Sequence, residues 1–421
     1  MKRNWSYSVG AVALLLAACS DDRTTGPAGQ DAFATYVAIG TSLTMGVQSD
    51  GVAYFTQQGD WTKLLAHQAF ASFTQPLISP PGCPSPLIAP LQLSRRYSGV
   101  SATANVFANT ADTACTAFGS YTLPTNDVGI DGANTYDALR VTPETTSVES
   151  VKRRRQYRLV LPPKTTQVTA MMQQHPTLVS VELGANEVLG VTSGLMLPAA
   201  AYRTPFTFVP NTVWQPVYAQ VLDSVKKTGA KALLVGVPNV SSIVSFRTGD
   251  ELYQNRAEFG SFGVIVNPDC QGNANLIFVP IKVATAVGTA RATGTAFNLS
   301  CTDSPGTQDN ILTPADVATV TALVAGMNNY ISSQATANGW GYLDINAVLA
   351  KAVANRGAYS VAKQFSCVSP YGQYISLDGV HPNVQGYQEM ANAAAAALNA
   401  AYGFQIPTNE QAVKTAAQVC P

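Results

Sequence analysis

Three runs of apolar residues constrain this chain more than any other feature: "TYVAIG" at 35–40, "LVSVELG" at 178–184 and "KALLVGVP" at 231–238. Each has the length of a strand, and none shows the apolar–polar alternation of a strand with one face in water. A weaker fourth run, "GYLDI" at 341–345, has the same character. Strands covered on both faces belong to parallel sheets, whose crossover connections lay helices over either side. Helical stretches fall between the runs as that requires. In "NTVWQPVYAQVLDSVKKTGA" Trp214, Val217, Tyr218, Val221, Leu222 and Val225 recur at helical spacing, and Gly229 supplies a stop. Thr313 and Pro314 read as the cap and first-turn proline of another helix, with Val317, Val320, Val324, Met327 and Ile331 as its inward stripe. A last helix is expected from about Asn383 through Met390 and Leu398. The fold class is therefore α/β, in three layers, with a central parallel sheet between helices.

In such a sheet the ligand crevice lies beyond the carboxyl ends of the strands. The stretch "VAIGTSLTMG" at 37–46 ends the first strand in a turn and delivers Ser42 to that rim, and Asn186 follows the second run. Residues 75–125 and 241–310 break the rhythm; they are rich in Pro, Gly, Thr, Ser and Asn and hold Cys83, Cys115, Cys270 and Cys301. They are read as disulfide-pinned insertions that wall or cover the crevice, because long structureless loops are uncommon unless functional.

A serine nucleophile needs a base, and the base needs a group to orient it. The chain has three histidines. His67 lies in the amphipathic stretch "WTKLLAHQAF" and reads as a packing or surface residue. His175 precedes a proline at the entry side of a strand, the wrong end of the sheet. His381, in "SLDGVHPNVQGY", stands just before the last helix with Asp378 three residues earlier. In one tight loop that spacing lets a carboxylate reach the second ring nitrogen, fix the tautomer and stabilise the imidazolium.

Four blocks carry a resemblance to the SGNH (GDSL-type) hydrolases: "GTSLTMG", "DVGIDGANTYDAL", "VELGANEVLG" and "DGVHP", in the family's order. The first resembles GDSLxxG, the third GxND and the last DxxHP; flanking text such as "GVPNVSSI", "DINAVLA" and "HPNVQGY" looks like bacterial lipoprotein lipases of this family. The resemblance covers most of the chain after the leader and implies a flavodoxin-like sheet. It makes Ser42 the nucleophile, His381 the base and Asp378 its orienter, with an oxyanion hole from the Ser42 amide, the Gly132 amide and the Asn186 side chain. No metal or cofactor is implied. The chain departs from the family at Thr41 and Glu187, each of which stands where the family has aspartate; both bear on the hydrogen bonding that holds the Ser42 turn and the Asn186 loop. No GxSxG pentapeptide occurs, which removes the α/β-hydrolase alternative. An ester substrate follows, whether lipid, small acyl ester or acylated glycan, since fold and triad do not choose among lipases, carbohydrate acetylesterases and thioesterases. A catalytically inactive surface-binding lipoprotein on the same scaffold is the alternative reading. The apolar stretch at 193–214 would suit an acyl pocket beside Asn186.

The ends speak to location. Lys2 and Arg3 precede the apolar "VGAVALLLAAC", which is too short to span a bilayer stably. Leu16-Ala17-Ala18-Cys19 resembles the lipobox of bacterial lipoproteins, which implies a signal peptide over 1–18, lipidation at Cys19 and a membrane anchor. "SDDRTTGPAGQ" then reads as part of a flexible tether over 19–33, ahead of a hydrolase domain at 34–421. Serine after the cysteine points to the outer membrane of the cell envelope. Six further cysteines in an exported chain imply disulfides, with fifteen possible connectivities. Sequence proximity favours Cys83–Cys115, Cys270–Cys301 and Cys367–Cys420. No CxxC pair asks for a metal. Net charge is zero with 12% charged residues, so nothing points to nucleic acid, and the basic run "KRRRQYR" at 152–158 reads as a solvated face.

Overall fold

Four parallel strands stand side by side in chain order: β1 (Tyr36–Gly40), β2 (Leu178–Glu182), β3 (Lys231–Val235) and β4 (Gly341–Leu343). The structure, a computed structural model, describes residues 26–101, 115–146 and 151–412, without the side chains of 151–154. Along the free edge of β1 runs the segment around Asp127, bridged in parallel to Ala38. The Ala38 amide donates to Asn126 and the Val128 amide to Ala38, both at 2.9 Å. From β1 the chain therefore goes first to one side and later to the other, which makes a topological switch point between β1 and β2. That is where a doubly wound sheet opens its crevice.

The strand residues alternate between two cores, as the pleat requires. Val37, Ile39, Val179, Val181 and Leu234 face one way; Tyr36, Ala38, Leu178, Leu233 and Val235 face the other. Seven helices matter here: α1 (Ser42–Met45), α2 (Trp61–Gln68), α3 (Asn211–Thr228), α4 (Val279–Thr293), α5 (Pro314–Asn338), α6 (Ile345–Ala354) and α7 (Val384–Tyr402). On the first face α3 and α5 bury Trp214, Tyr218, Val320 and Met327; on the second α2 and α7 bury Trp61, Leu65, Tyr387 and Leu398. Each such side chain contributes roughly 1.5–3 kcal/mol by leaving water. The expected caps form: Thr313 accepts from the Asp316 amide with Pro314 as the first residue of α5, and Asn383 accepts from the amides of Gln385 and Gly386.

Residues 241–310 are not a structureless cover. Phe246–Thr248, Leu276–Phe278 and Ile311–Leu312 form a small antiparallel sheet, Val264–Val266 pairs in parallel with Phe297–Leu299, and α4 packs with them. Leu252, Phe259, Val283 and Val287 give this lobe a core of its own, continuous with Tyr371 and Ile375. Its strands are two or three residues long and α4 is rich in Ala and Thr, so neither produces a clear hydrophobic period.

Disulfides join Cys83 to Cys115 and Cys270 to Cys301. Cys367 is also disulfide-bonded; Cys420, its expected partner, lies outside the described residues, as does Cys19. The folded body starts earlier than a tether ending at residue 33 implies. Gln30–Phe33 form a turn of 3₁₀-helix, Phe33 is buried with its ring 5.3 Å from that of Tyr36, and the Gln405 amide donates to Ala28 at 2.8 Å. One aromatic side chain with a core to enter is enough to dock the segment.

Candidate active site

β1 ends at Gly40, level with Glu182 of β2, and Ser42 opens α1 immediately beyond. A side chain at Gly40 would collide with Thr44 and with the Glu182 carboxylate, so glycine lets the two strand ends and the turn close on one another. As the first residue of a helix, Ser42 has an amide with no acceptor inside that helix. The turn is held from below by Glu182. Its carboxylate accepts from the Thr41 amide at 2.8 Å, the Thr41 hydroxyl at 2.9 Å and the Thr44 hydroxyl at 3.2 Å. Burial pushes the Glu182 carboxyl up to about 7, against those hydrogen bonds. Thr41 thus takes the place of an aspartate by donating to a carboxylate borrowed from the next strand.

His381 and Asp378 arrive from the loop before α7. Nδ1 of His381 lies 2.7 Å from Oδ2 of Asp378, and Nε2 lies 3.0 Å from Oγ of Ser42. With Nδ1–H donating to the carboxylate, Nε2 carries the lone pair and accepts the serine hydroxyl. Asp378 Oδ1 also accepts the amides of Val380 at 2.7 Å and His381 at 2.9 Å. Burial works against an ionised Asp378, but the charge and hydrogen bond of His381 together with those amides outweigh it and hold the carboxyl below its usual range. Burial likewise opposes a charged His381, yet Asp378, helped by Asp131 and Asp50, raises the ring above its ordinary value. His67 and His175 are exposed and make no part of this group.

A second contact on the carboxylate comes from residues that sequence reasoning passed over. The Asp50 amide donates to Asp378 Oδ2 at 2.6 Å, and the Ser49 amide donates to the Ser376 hydroxyl at 2.8 Å. Both residues sit in the left-handed region, at φ 53° and 55°, a conformation that costs a non-glycine residue about 1–2 kcal/mol. Arg96 holds Asp50 there. Its guanidinium donates to the Asp50 carbonyl at 3.0 Å and the Ser85 carbonyl at 2.7 Å, and pairs with the Asp50 carboxylate. Arg96 belongs to the segment around Cys83, whose amide donates to Val52 at 2.8 Å. The insertion at 75–125 therefore braces the acid loop from behind.

Gly132 occupies a turn closed by the Ala133 amide on Ile130 at 3.1 Å, and its φ of 72° is one that glycine adopts without strain. Asn186 is tied to this turn: Nδ2 donates to the Ala133 carbonyl at 2.7 Å. An amide nitrogen carries two hydrogens, so one remains for a ligand in the cleft that Asn186 lines. Glu187 is turned the other way, buried, accepting from the Thr135 amide at 2.7 Å and the Tyr202 hydroxyl at 3.0 Å.

Ser42, Asn186 and His381 open into one cleft. Its other walls come from 238–243, α6, the loop at 374–382 and the first turns of α7. No residue of 193–214 lines it, nor does any described residue of 75–125, and of 241–310 only Ile243 does. The stretch at 193–214 is spent elsewhere: Tyr202 on Glu187, Trp214 in the core. One group of candidate metal ligands exists among the described residues, Asp269 with Cys270 and Cys301, and its two sulfurs are joined to each other.

A serine, an imidazole and a carboxylate in hydrogen-bonded sequence at the carboxyl rim of a doubly wound sheet define the class: an α/β serine hydrolase. Within that class the chain belongs to the GDSL-like Lipase/Acylhydrolase family, whose model matches residues 36–394, and this makes it a serine hydrolase of the esterase or lipase type. No curated protein and no solved structure matches it.

Proposed function

We propose that this protein cleaves carboxylic esters through an acyl-enzyme on Ser42. His381 takes the Ser42 proton as Oγ attacks the ester carbonyl, and Asp378 stabilises the imidazolium that results. The oxyanion is met by the Ser42 and Gly132 amides and by Nδ2 of Asn186. The imidazolium then protonates the departing alcohol. Water, deprotonated by His381, attacks the acyl-enzyme and releases the acid, which restores Ser42. The observation that carries this reading is the unbroken chain of contacts, 3.0 Å from Ser42 to His381 and 2.7 Å on to Asp378. Nothing favours an inactive binder, since Thr41 and Glu187 both have hydrogen-bond partners of their own. Replacing Ser42 by alanine is expected to abolish hydrolysis of a short p-nitrophenyl ester and labelling by a fluorophosphonate, with thermal unfolding nearly unchanged. Activity that survived in this variant would remove the assignment.

The protein is further proposed to work outside the cytoplasm, held at the cell envelope by lipid on Cys19 and sorted to the outer membrane. Support comes from the lipobox-like sequence alone. Among the described residues no helix is long and apolar enough to cross a membrane. Palmitate incorporation that is lost in Cys19→Ser is the expected result, and label retained in that variant would refute it.

A further inference from the structure

The cleft that opens from Ser42 has walls of one chemical kind. Leu189 beyond β2, Val240 and Ile243 beyond β3, Val348 and Leu349 of α6 and Met390 of α7 face into it. Leu189, Val348 and Leu349 are only part-buried and line this cleft. Two charged residues reach its lining besides the imidazole, Lys351 and Glu389, and they neutralise each other at 2.6 Å. Lys351 also lies 5.7 Å from the ring centre of Tyr374, the one Phe, Tyr or Trp among the described residues of the lining. A sugar ring asks for aromatic platforms and several hydrogen-bonding groups, and a charged acyl group asks for a free counter-charge. This cleft supplies neither.

We infer that the cleft is an acyl site for a medium- or long-chain fatty acyl group, whose alkyl chain lies between Leu189 and α6. The assignment of the chain to the acyl half, rather than the alcohol, rests on the reading of Ser42 as nucleophile. The acyl group stays bound through both half-reactions while the alcohol leaves after the first. Apolar burial of the acyl chain therefore lowers the barrier from free enzyme and ester to the acylation transition state, the one that kcat/KM reports.

The test uses the full chain and two variants that fill the cleft from opposite walls at part-exposed positions, Leu189→Trp and Val348→Trp. With p-nitrophenyl esters, kcat/KM is expected to rise from acetate to decanoate by up to roughly fourfold per methylene that enters the cleft. In both variants the decanoate-to-acetate ratio is expected to fall at least tenfold. Methyl decanoate is expected to outrun decyl acetate. Binding of dodecanoate to Ser42→Ala, followed by calorimetry, reads the cleft without chemistry and is expected to weaken at least tenfold when either tryptophan is added. A flat chain-length profile unmoved by both tryptophans, or a preference for decyl acetate, overturns the acyl site while leaving ester hydrolysis intact. If no ester is cleaved but dodecanoate binding depends on Leu189 and Val348, the hydrolase reading fails and the alkyl site stands; if dodecanoate binding ignores both, the alkyl site fails.

Discussion

Glu182 gives the most demanding test of the energetics beneath the site. It is buried and accepts hydrogen bonds from Thr41 and Thr44, with no cation among its partners in the described residues. Its carboxyl titrates near 7 in the folded chain, against 4.5 for the free side chain. The sign follows from proton counting. Between 4.5 and 7 the native state binds the proton that the unfolded chain has already released, so stability falls as pH rises through that window. A displacement of this size amounts to about 3 kcal/mol, absent below the lower value and fully felt above the higher one. Glu182→Gln keeps one carbonyl oxygen for the Thr41 donors and removes the titration. Urea unfolding of both proteins at pH 5 and pH 8 is the assay. The wild type is expected to lose about 2.5 kcal/mol more than the variant between those two values, since part of the effect is already spent at pH 5. Asp60, Asp127 and Glu187, whose carboxyls are likewise raised by burial, are common to both chains and drop out of the difference. Parallel pH dependence in the two proteins would show that the proton on Glu182 has no part in holding the Ser42 turn.

Other expectations are simpler. Asn186→Ala removes one donor to the oxyanion and is expected to lower kcat a hundred- to a thousandfold with little change in unfolding; a loss under fivefold would take Asn186 out of the oxyanion hole. Because His381 must be neutral to accept a proton and its value is raised, kcat/KM is expected to climb with pH through a midpoint above 6.5. Asp131→Asn should move that midpoint to lower pH, and an unmoved midpoint would deny the influence of Asp131. Arg96→Met strips charged hydrogen bonds from Asp50 and Ser85 and is expected to cost roughly 2–3 kcal/mol of stability. It should also cut kcat several-fold at unchanged KM, and a change confined to KM would separate Arg96 from the acid loop.

The sheet was legible because Val37–Ile39, Val179–Val181 and Ala232–Val235 are buried on both faces, and that condition writes itself into sequence as unbroken apolar runs. The caps at Thr313 and Asn383 were legible because they are local. Ser42, Asp378 and His381 could be named because the nucleophile needs a strand end and the base needs an acid a turn away. What escaped notice depends on partners far along the chain. Glu182 looks like one polar residue in a strand until β1 sets Thr41 against it, although a lone carboxylate in an apolar run was a signal. Asp50 and Arg96 read as ordinary loop residues; the left-handed backbone of Asp50, its hydrogen bond to Asp378 and the Arg96 contacts that hold it exist only once 75–125 folds back on 47–52. The proposed acyl cleft was expected at 193–214 for its apolar content, but hydrophobicity alone does not say which apolar stretch is core and which is wall.

The serine and its base are 339 positions apart. In a growing chain Ser42 is made long before the imidazole it bonds to, which comes just ahead of α7, a helix that covers one face of the sheet. A fragment that stops short of His381 would thus carry Ser42 without that imidazole and would leave this face of the sheet uncovered.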